Sequence, residues 1–334
     1  MRSLETRCAT LIEDLGLGQA GDIRSIAPLT GGVASDIALV DLGHRRICVK
    51  FALEKLKVAE EWRAPVHRNR AEYRWLDFAG RVVPGSAPEL YGWSEAENGF
   101  AMEYVAGAGV VLWKAELLAG RPAGVAAAAV GDALGRIHAA AATEGFDRKG
   151  FENRADFDAI RLDPYLAFTA GRHPDLAPAI LHLRDALHAA SITLVHGDVS
   201  PKNILFRAGV PVFLDAECAT IGDPAFDCAF CLNHLALKAR HLPGARADLL
   251  AALGVWWAAY RPAIAWEAAP ALEARVARLV PALMLARIDG KSPVEYLDEA
   301  ARAEVRSAAR QLIADPPADL ASLARSLARA WGSA

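Results

Sequence analysis

Near residue 106 the chain changes its hydrophobic period, and that change limits what it can fold into. Before it, the apolar residues lie in short β-rich runs, IALVDL, RICVKFA, PELYGWS and GFAMEYV, separated by turn signals such as TGG, LGH and NG. One helical stretch, VHRNRAEYRWLDFAG, interrupts them. Beyond VAGAG the sequence passes into long Ala- and Leu-rich stretches, Ala being the best helix former. Strands gathered at one end and helices at the other predict an α+β chain in two lobes. The boundaries fall at residues 1–105 for a small antiparallel-sheet lobe and 106–334 for a larger, mainly helical one, joined through about 102–109. The start, MRSLETRCATLIEDLG, mixes both charge signs among its apolar positions, which predicts an amphipathic helix and not a secretory signal.

One compact block breaks the helical part. In LVHGDVSPKNILF an apolar run ends at His196-Gly197, Asp198 follows, and Asn203 lies five residues on. Asp215 closes the next apolar run, VPVFLD, twelve residues after Asn203. Two acids and an amide thus sit on turns beside two short strands. That set suits phosphoryl transfer. One carboxylate orients an attacking hydroxyl, while the other and the amide oxygen hold a magnesium ion that takes its remaining ligands from phosphate and water.

The spacing His196-x-Asp198 with Asn203 and a strand-end Asp215 is that of the protein-kinase catalytic loop. Gly197, the S-P-x-N ending and the later LDAECATIGDPAFD are similar instead to the aminoglycoside phosphotransferase and choline-kinase-like family. Protein kinases usually carry Arg at the position of Gly197, and there Asp215 would open D-F-G; here it opens D-A-E. The resemblance extends over about residues 20–300 and is sharp over 194–231. It implies a bilobal protein-kinase-like fold. It also implies transfer of the γ-phosphoryl group of ATP (or GTP), with Mg²⁺, to a hydroxyl of a small molecule of aminoglycoside, amino alcohol or sugar type. Asp198 is then the catalytic base, and Asn203 and Asp215 are the metal ligands.

The resemblance also directs attention to the first lobe. In RRICVKFA, alternation puts Ile47, Val49 and Phe51 on one face and Arg46, Cys48 and Lys50 on the other. A lysine within an apolar strand is costly unless paired. The family assigns Lys50 to the α/β-phosphates and pairs it with a helix glutamate, for which Glu72 in NRAEYRWL lies beside the apolar positions Trp75, Leu76 and Ala79. Gly31 and Gly32 in LTGGVASDIALV stand where the family covers the phosphates with a hairpin. FAMEYVAG matches the interlobe hinge, whose main chain at Glu103 and Val105 meets adenine in the family. Downstream, Asp227 of the GDPxxD element is expected to brace the catalytic loop, with Asp223 as helix cap and Pro224 in the first turn. His196, like His138, is read as a packed structural histidine.

Other patterns lead elsewhere. Gly290-Lys291-Ser292 resembles the end of a P-loop, but Leu285 stands where the motif needs its first Gly. Cys218, Cys228, Cys231 and His234 could be written as a zinc set, yet three of the four fall in the apolar run AFDCAFCLNHLAL, where cysteines pack as small hydrophobes. Five cysteines, an odd and sparse set, point to a reduced, cytoplasmic compartment. Thirty-seven basic against forty acidic residues give a net charge of −3, which does not suit a nucleic-acid partner. No apolar run approaches the roughly 18 residues of a membrane span.

The acceptor is the least constrained part. RIDGKSPVEYLDEA supplies Asp289, the preferred substrate contact, with Glu217 near Asp215 as a second candidate. Arg287 and Lys291 flank Asp289 and suit an anionic acceptor equally, so the segment leaves the sign of the substrate open. The alternative to an enzyme is a non-catalytic kinase-like module that binds nucleotide or a partner. Loss of the lysine or of either aspartate would favour it, and all three are present.

Overall fold

The structure is a computed structural model that describes residues 2–29, 35–53 and 68–332. Gly31 and Gly32 lie outside the described residues. Five strands form one antiparallel sheet in the order β1-β2-β3-β5-β4, with β1 at Ser25–Pro28, β2 at Ser35–Asp41, β3 at Arg46–Ala52, β4 at Leu90–Ser94 and β5 at Gly99–Glu103. Helix α1 (Leu4–Asp14) covers one face and α2 (Arg68–Val82) the other. The pleat of β3 explains this. Ile47, Val49 and Phe51 are buried with Cys8, Leu11 and Ile12 of α1, and Cys48 is buried with Trp75, Leu76 and Ala79 of α2. Lys50 shares the face of Cys48 and is therefore carried toward α2. In the pairing, Lys50 stands opposite Ile37 of β2 and Phe100 of β5. Ser3 caps α1 by accepting the Thr6 N–H.

The rest is mainly helical. In chain order come β6 (Val110–Leu112), α3 (Trp113–Leu118), α4 (Gly124–Ala141), α5 (Arg154–Phe157), a run of wider π-type turns at Asp158–Ala167, α6 (Phe168–Arg172) and α7 (Ala177–Ala189). Then follow β7 (Thr193–Val195), β8 (Ile204–Arg207), β9 (Val210–Phe213), β10 (Thr220–Gly222), α8 (Pro224–His241) and α9 (Arg246–Tyr260). Three helices close the chain: α10 (Ala269–Asp289), α11 (Glu299–Ala314) and α12 (Leu320–Trp331). Strand β7 pairs with β10, while β6, β8 and β9 form a three-stranded sheet in that order. Strands β1 and β6 are short and largely uncovered and lack an alternating apolar signature, so the sequence alone does not predict them.

Helix α8 is buried along nearly its whole length. It is flanked by α9 and α10 and carries Asp227, which holds the chain just after β7. Helix α4 packs closely against α9. A Cβ on Gly131 would stand 2.3 Å from the Trp256 carbonyl oxygen, so only glycine lets these backbones meet. Gly131→Ala is therefore expected to destabilise the fold by about 1–3 kcal/mol through overpacking, outweighing alanine's helix-propensity gain of about 1 kcal/mol. Gly254→Ala on α9, where a Cβ meets nothing within 4 Å, is expected to have the opposite sign. Denaturant midpoints of the two variants check the pair.

Candidate active site

Strand β7 is fully buried and delivers His196, Gly197 and Asp198 into the interior. Gly197 has φ +82°, and a Cβ there would lie 2.7 Å from Cys218 Cβ. No side chain fits, which is the physical reason that glycine precedes Asp198. The His196 Nδ1 accepts the Asp198 N–H at 3.1 Å, and Nε2 donates to the Leu214 carbonyl at 3.1 Å. These bonds define a neutral tautomer, and burial lowers the pKa of the ring against the pull of Asp227 and Asp198. Trp75 of α2 packs against the His196 ring with centroids 4.6 Å apart. Asp227, in the first turn of α8, accepts the N–H groups of His196 (2.6 Å) and Gly197 (2.8 Å). His138 spans from Asp227 (3.2 Å) to the Tyr260 hydroxyl (2.8 Å). Helix α8 itself begins with Asp223 accepting the Ala225 N–H and Pro224 in the first turn.

Asp198 is 2% exposed. Its Oδ2 accepts from Arg161 Nη2 at 2.9 Å and lies 3.3 Å from Lys202 Nζ. Its Oδ1 is buried and has no partner among the described residues. Burial alone would raise the pKa of this carboxyl, but Lys202 and Arg161 outweigh it and hold the group below its ordinary value. Asp198 is thus an ionised acceptor with one oxygen fixed and one free. Arg161 also donates from Nε to the Gly197 carbonyl at 2.6 Å, so one guanidinium clamps both the loop and its acid. It projects from the Asp158–Ala167 turns, which contain Pro164. Sequence reasoning missed Arg161, whose only local signal is its place between Ile160 and Leu162, a signal that does not give its direction.

The second cluster joins the lobes. Lys50 Nζ lies 2.7 Å from Glu72 Oε2 and 2.5 Å from Asp215 Oδ1. Burial works to lower the lysine's pKa, and the two carboxylates reverse that and raise it. One cation serves two acids, unequally. Burial pushes the enclosed Glu72 up to about 7 despite Lys50. The carboxyl of Asp215, partly open to solvent, is held far below its ordinary value because Lys50 and Lys202 outweigh its desolvation. Asp215 adopts a left-handed φ of +66°, a conformation more accessible to Asp and Asn than to other non-glycine residues. Asn203 donates from Nδ2 to the Asp198 carbonyl at 3.2 Å, leaving its side-chain oxygen for another partner.

Lys50, Glu72, Lys202, Asn203 and Asp215 line one cavity of about 240 Å³ between the sheet and the helical lobe. Its apolar wall includes Leu29, Ile37, Met102 and Leu205, and Glu103 and Val105 edge it. Among the described residues the main chain of Val105 takes no hydrogen-bond partner. The Glu103 side chain is committed to Arg207 of β8. Two oxygen donors, the Asp215 carboxylate and the Asn203 amide, face this cavity. That small set suits magnesium, which keeps water and phosphate as its other ligands. No cluster of three or more His, Cys, Asp or Glu suited to a metal occurs among the described residues.

The acceptor candidates are placed differently. Glu217 Oε2 accepts from Arg68 Nε at 3.0 Å, a buried bond that ties the start of α2 to the segment after Asp215. Asp289 is not brought to the cavity. Arg306 holds its carboxylate through two bonds of 2.7 and 2.8 Å, and His173 Nε2 lies 3.0 Å from Oδ2. All five cysteines are free and buried, and burial pushes the thiols of Cys218, Cys228 and Cys231 well up.

Residues 25–272 match the phosphotransferase enzyme family. Among solved structures, a choline/ethanolamine kinase family protein from Mesorhizobium loti superposes with a TM-score of 0.59 at 18% identity, over 97% of this chain and 98% of the other. An amicoumacin kinase bound to AMP-PNP, Ca²⁺ and its antibiotic gives 0.57 at 13% identity, over 96% and 100% of the two chains. A choline kinase from Streptococcus pneumoniae gives 0.53 at 12%, over 93% and 99%. These likenesses establish a shared kinase-like fold. No curated protein matches the chain. Among the described residues no helix is long and apolar enough to cross a membrane.

Proposed function

The chain belongs to the phosphotransferase enzyme family, and we propose that it moves the γ-phosphoryl group of ATP, with Mg²⁺, onto a hydroxyl of a small molecule. On this reading residues 1–105 form the nucleotide-binding lobe and residues 106–334 the catalytic and acceptor-binding lobe of a cytoplasmic enzyme. One observation carries the proposal. Lys50 from the sheet, and Asn203 and Asp215 from the helical lobe, line the same cavity as the 102–105 segment.

The apolar end of that cavity suits adenine, with the Val105 main chain as donor and acceptor. Lys50, held cationic by its two acids, steadies the α/β-phosphates. Asn203 and Asp215 would hold Mg²⁺, which supplies charge neutralisation at the phosphates. Asp198 offers its free Oδ1 to the acceptor hydroxyl. As the bond from the γ-phosphorus to the bridging oxygen breaks and the bond to the acceptor oxygen forms, Asp198 takes the hydroxyl proton and passes it to water. Its depressed pKa makes it a weak base, which suits a reaction driven chiefly by positioning and charge neutralisation. Lys202 lines the nucleotide cavity and approaches Asp198, so it lies where the transferring group passes.

ATP with Mg²⁺ is expected to raise the melting temperature, since a ligand at 100 times its Kd stabilises the folded state by about 2.7 kcal/mol. Lys50→Met removes a charge-assisted contact worth about 1.5–3 kcal/mol, so most of that rise is expected to vanish. An unchanged rise in the variant would take Lys50 out of the phosphate site. Mg²⁺-dependent ADP release across a panel of hydroxyl compounds tests the enzyme itself. A nucleotide-induced rise with no turnover of any acceptor would point to a binding module instead.

A further inference from the structure

A second cationic cluster lies one aromatic layer away from Asp198. Lys238 of α8 is 1% exposed. Its Nζ has only a marginal 3.5 Å contact with the His234 carbonyl and sits 5.1 Å over the Tyr296 ring. Arg287 of α10 is 9% exposed and donates from Nη1 to the Tyr165 hydroxyl (3.2 Å) and Ser292 Oγ (2.8 Å). Its Nε and the Tyr296 hydroxyl are buried without any partner among the described residues. Neither Lys238 nor Arg287 forms an ion pair with a carboxylate among the described residues. Lys114 of α3 approaches from the rim, where Glu295 pairs with it.

Buried cations without counter-ions are expensive, because desolvation is uncompensated. The cost shows in Lys238, whose pKa burial lowers to about 7, with Lys114 and Arg287 adding repulsion that Glu295 on the rim only partly offsets. The Tyr296 ring under Lys238 and the hydroxyls that meet Arg287 offset part of this cost, and neither cation has a carboxylate at bonding distance among the described residues. A ligand that supplies the missing negative charge would offset the remainder.

The cluster connects with the reaction centre through aromatic rings. Arg161, bonded to Asp198, lies 6.0 Å from the Phe230 ring. Phe230 packs on Tyr165 at 5.4 Å, and the Tyr165 hydroxyl bonds Arg287. Phe230 also contacts His234, one turn before Lys238. We propose that Lys238, Arg287 and the Tyr296 hydroxyl form the anion-binding end of the acceptor site. The acceptor is then a hydroxyl compound carrying a carboxylate or phosphate at a distance from that hydroxyl. The proposal rests on the phosphotransferase reading above and adds the charge of its substrate. Arg287, with a planar fork, and Lys238, a compact point charge, suit an oxyanion better than an amine.

The test follows Mg²⁺-dependent ADP release with four acceptor groups: ω-hydroxy carboxylates of graded length, polyol phosphates, neutral polyols, and the cationic alcohols choline, ethanolamine and an aminoglycoside. Turnover is expected with an anionic group and an optimal chain length, and the first two groups distinguish carboxylate from phosphate. Lys238→Met and, separately, Arg287→Met are expected to raise KM for the best anionic acceptor by roughly 10- to 100-fold, the loss typical of a hydrogen bond to a charge. Lys238→Met should also remove the rise in melting temperature that this acceptor gives the wild-type protein, a readout independent of turnover. Wild-type KM in both variants overturns the proposal, as does silence of both anionic groups. A protein that melts higher with Mg²⁺ and ATP yet uses only cationic or neutral alcohols overturns this inference and leaves the phosphotransferase reading standing. A protein that responds to neither nucleotide nor acceptor overturns both.

Discussion

Asp198→Asn is expected to lower turnover by roughly 10²-fold or more, the scale of a lost general base, while ATP binding persists. Asparagine keeps the size of the side chain and an oxygen for Arg161, but it cannot take the acceptor's proton. The nucleotide contacts do not pass through this carboxylate, because Lys50, Asn203 and Asp215 line the cavity without it. The substitution also removes the counter-charge that faces Arg161 and Lys202, so a stability loss of about 1–3 kcal/mol accompanies it. Turnover must therefore be compared per folded molecule, with melting temperature and ATP affinity measured on the same preparation. A stable, ATP-binding variant with near-normal turnover would sink the mechanism.

The same geometry fixes the pH dependence. Lys202 and Arg161 hold the Asp198 pKa below its ordinary value. The stabilisation this group gives is therefore fully present above its unfolded pKa and fades only as pH falls through the lower, folded one. No acid limb from Asp198 is expected in the rate profile above about pH 4, the ordinary value for an aspartate. An acid limb close to neutrality would have to come from another group, and Glu72, pushed up to about 7 by burial, is the candidate.

The parts of this site legible in the sequence are those where residue type and local period coincide. Alternation in RICVKFA turns Lys50 away from α1, and the 3.6-residue period sets Glu72 beside Trp75 and Leu76. The two meet because both sequence patterns refer to the same sheet face. Arg161 was not legible, since its direction depends on the wider turns around Pro164, which shift the helical period by an amount the letters do not encode. The fate of Asp289 was hidden for another reason. Its partners Arg306 and His173 lie 17 and 116 residues away in sequence, and only packing brings them together. Glu217 is similar: Arg68, 149 residues earlier, takes its carboxylate. Acids near a predicted site look available in the sequence, whereas the folded chain has already paired these two.

Asp215→Ala is expected to reduce Mg²⁺-dependent turnover by about 10³-fold or more, corresponding to several kcal/mol of charge stabilisation at the phosphoryl group. The protein should stay folded. Asp215 is partly exposed, and its removal leaves Lys50 paired with Glu72 at 2.7 Å. The buried glutamate then has the cation to itself, which favours its ionised form. Alanine at φ +66° costs about 1–2 kcal/mol, so Asp215→Asn, which tolerates that conformation, separates backbone strain from loss of the ligand. The metal role and a purely electrostatic role for Asp215 differ in one readout. Lys50→Met should diminish the ATP-induced rise in melting temperature with or without Mg²⁺, because it removes a phosphate contact. Asp215→Ala should abolish only the increment that Mg²⁺ adds, because Lys50 remains to meet the phosphates. If the Mg²⁺ increment survives in Asp215→Ala, the metal is held elsewhere, and Asp215 acts only as the acid that, with Glu72, keeps Lys50 charged.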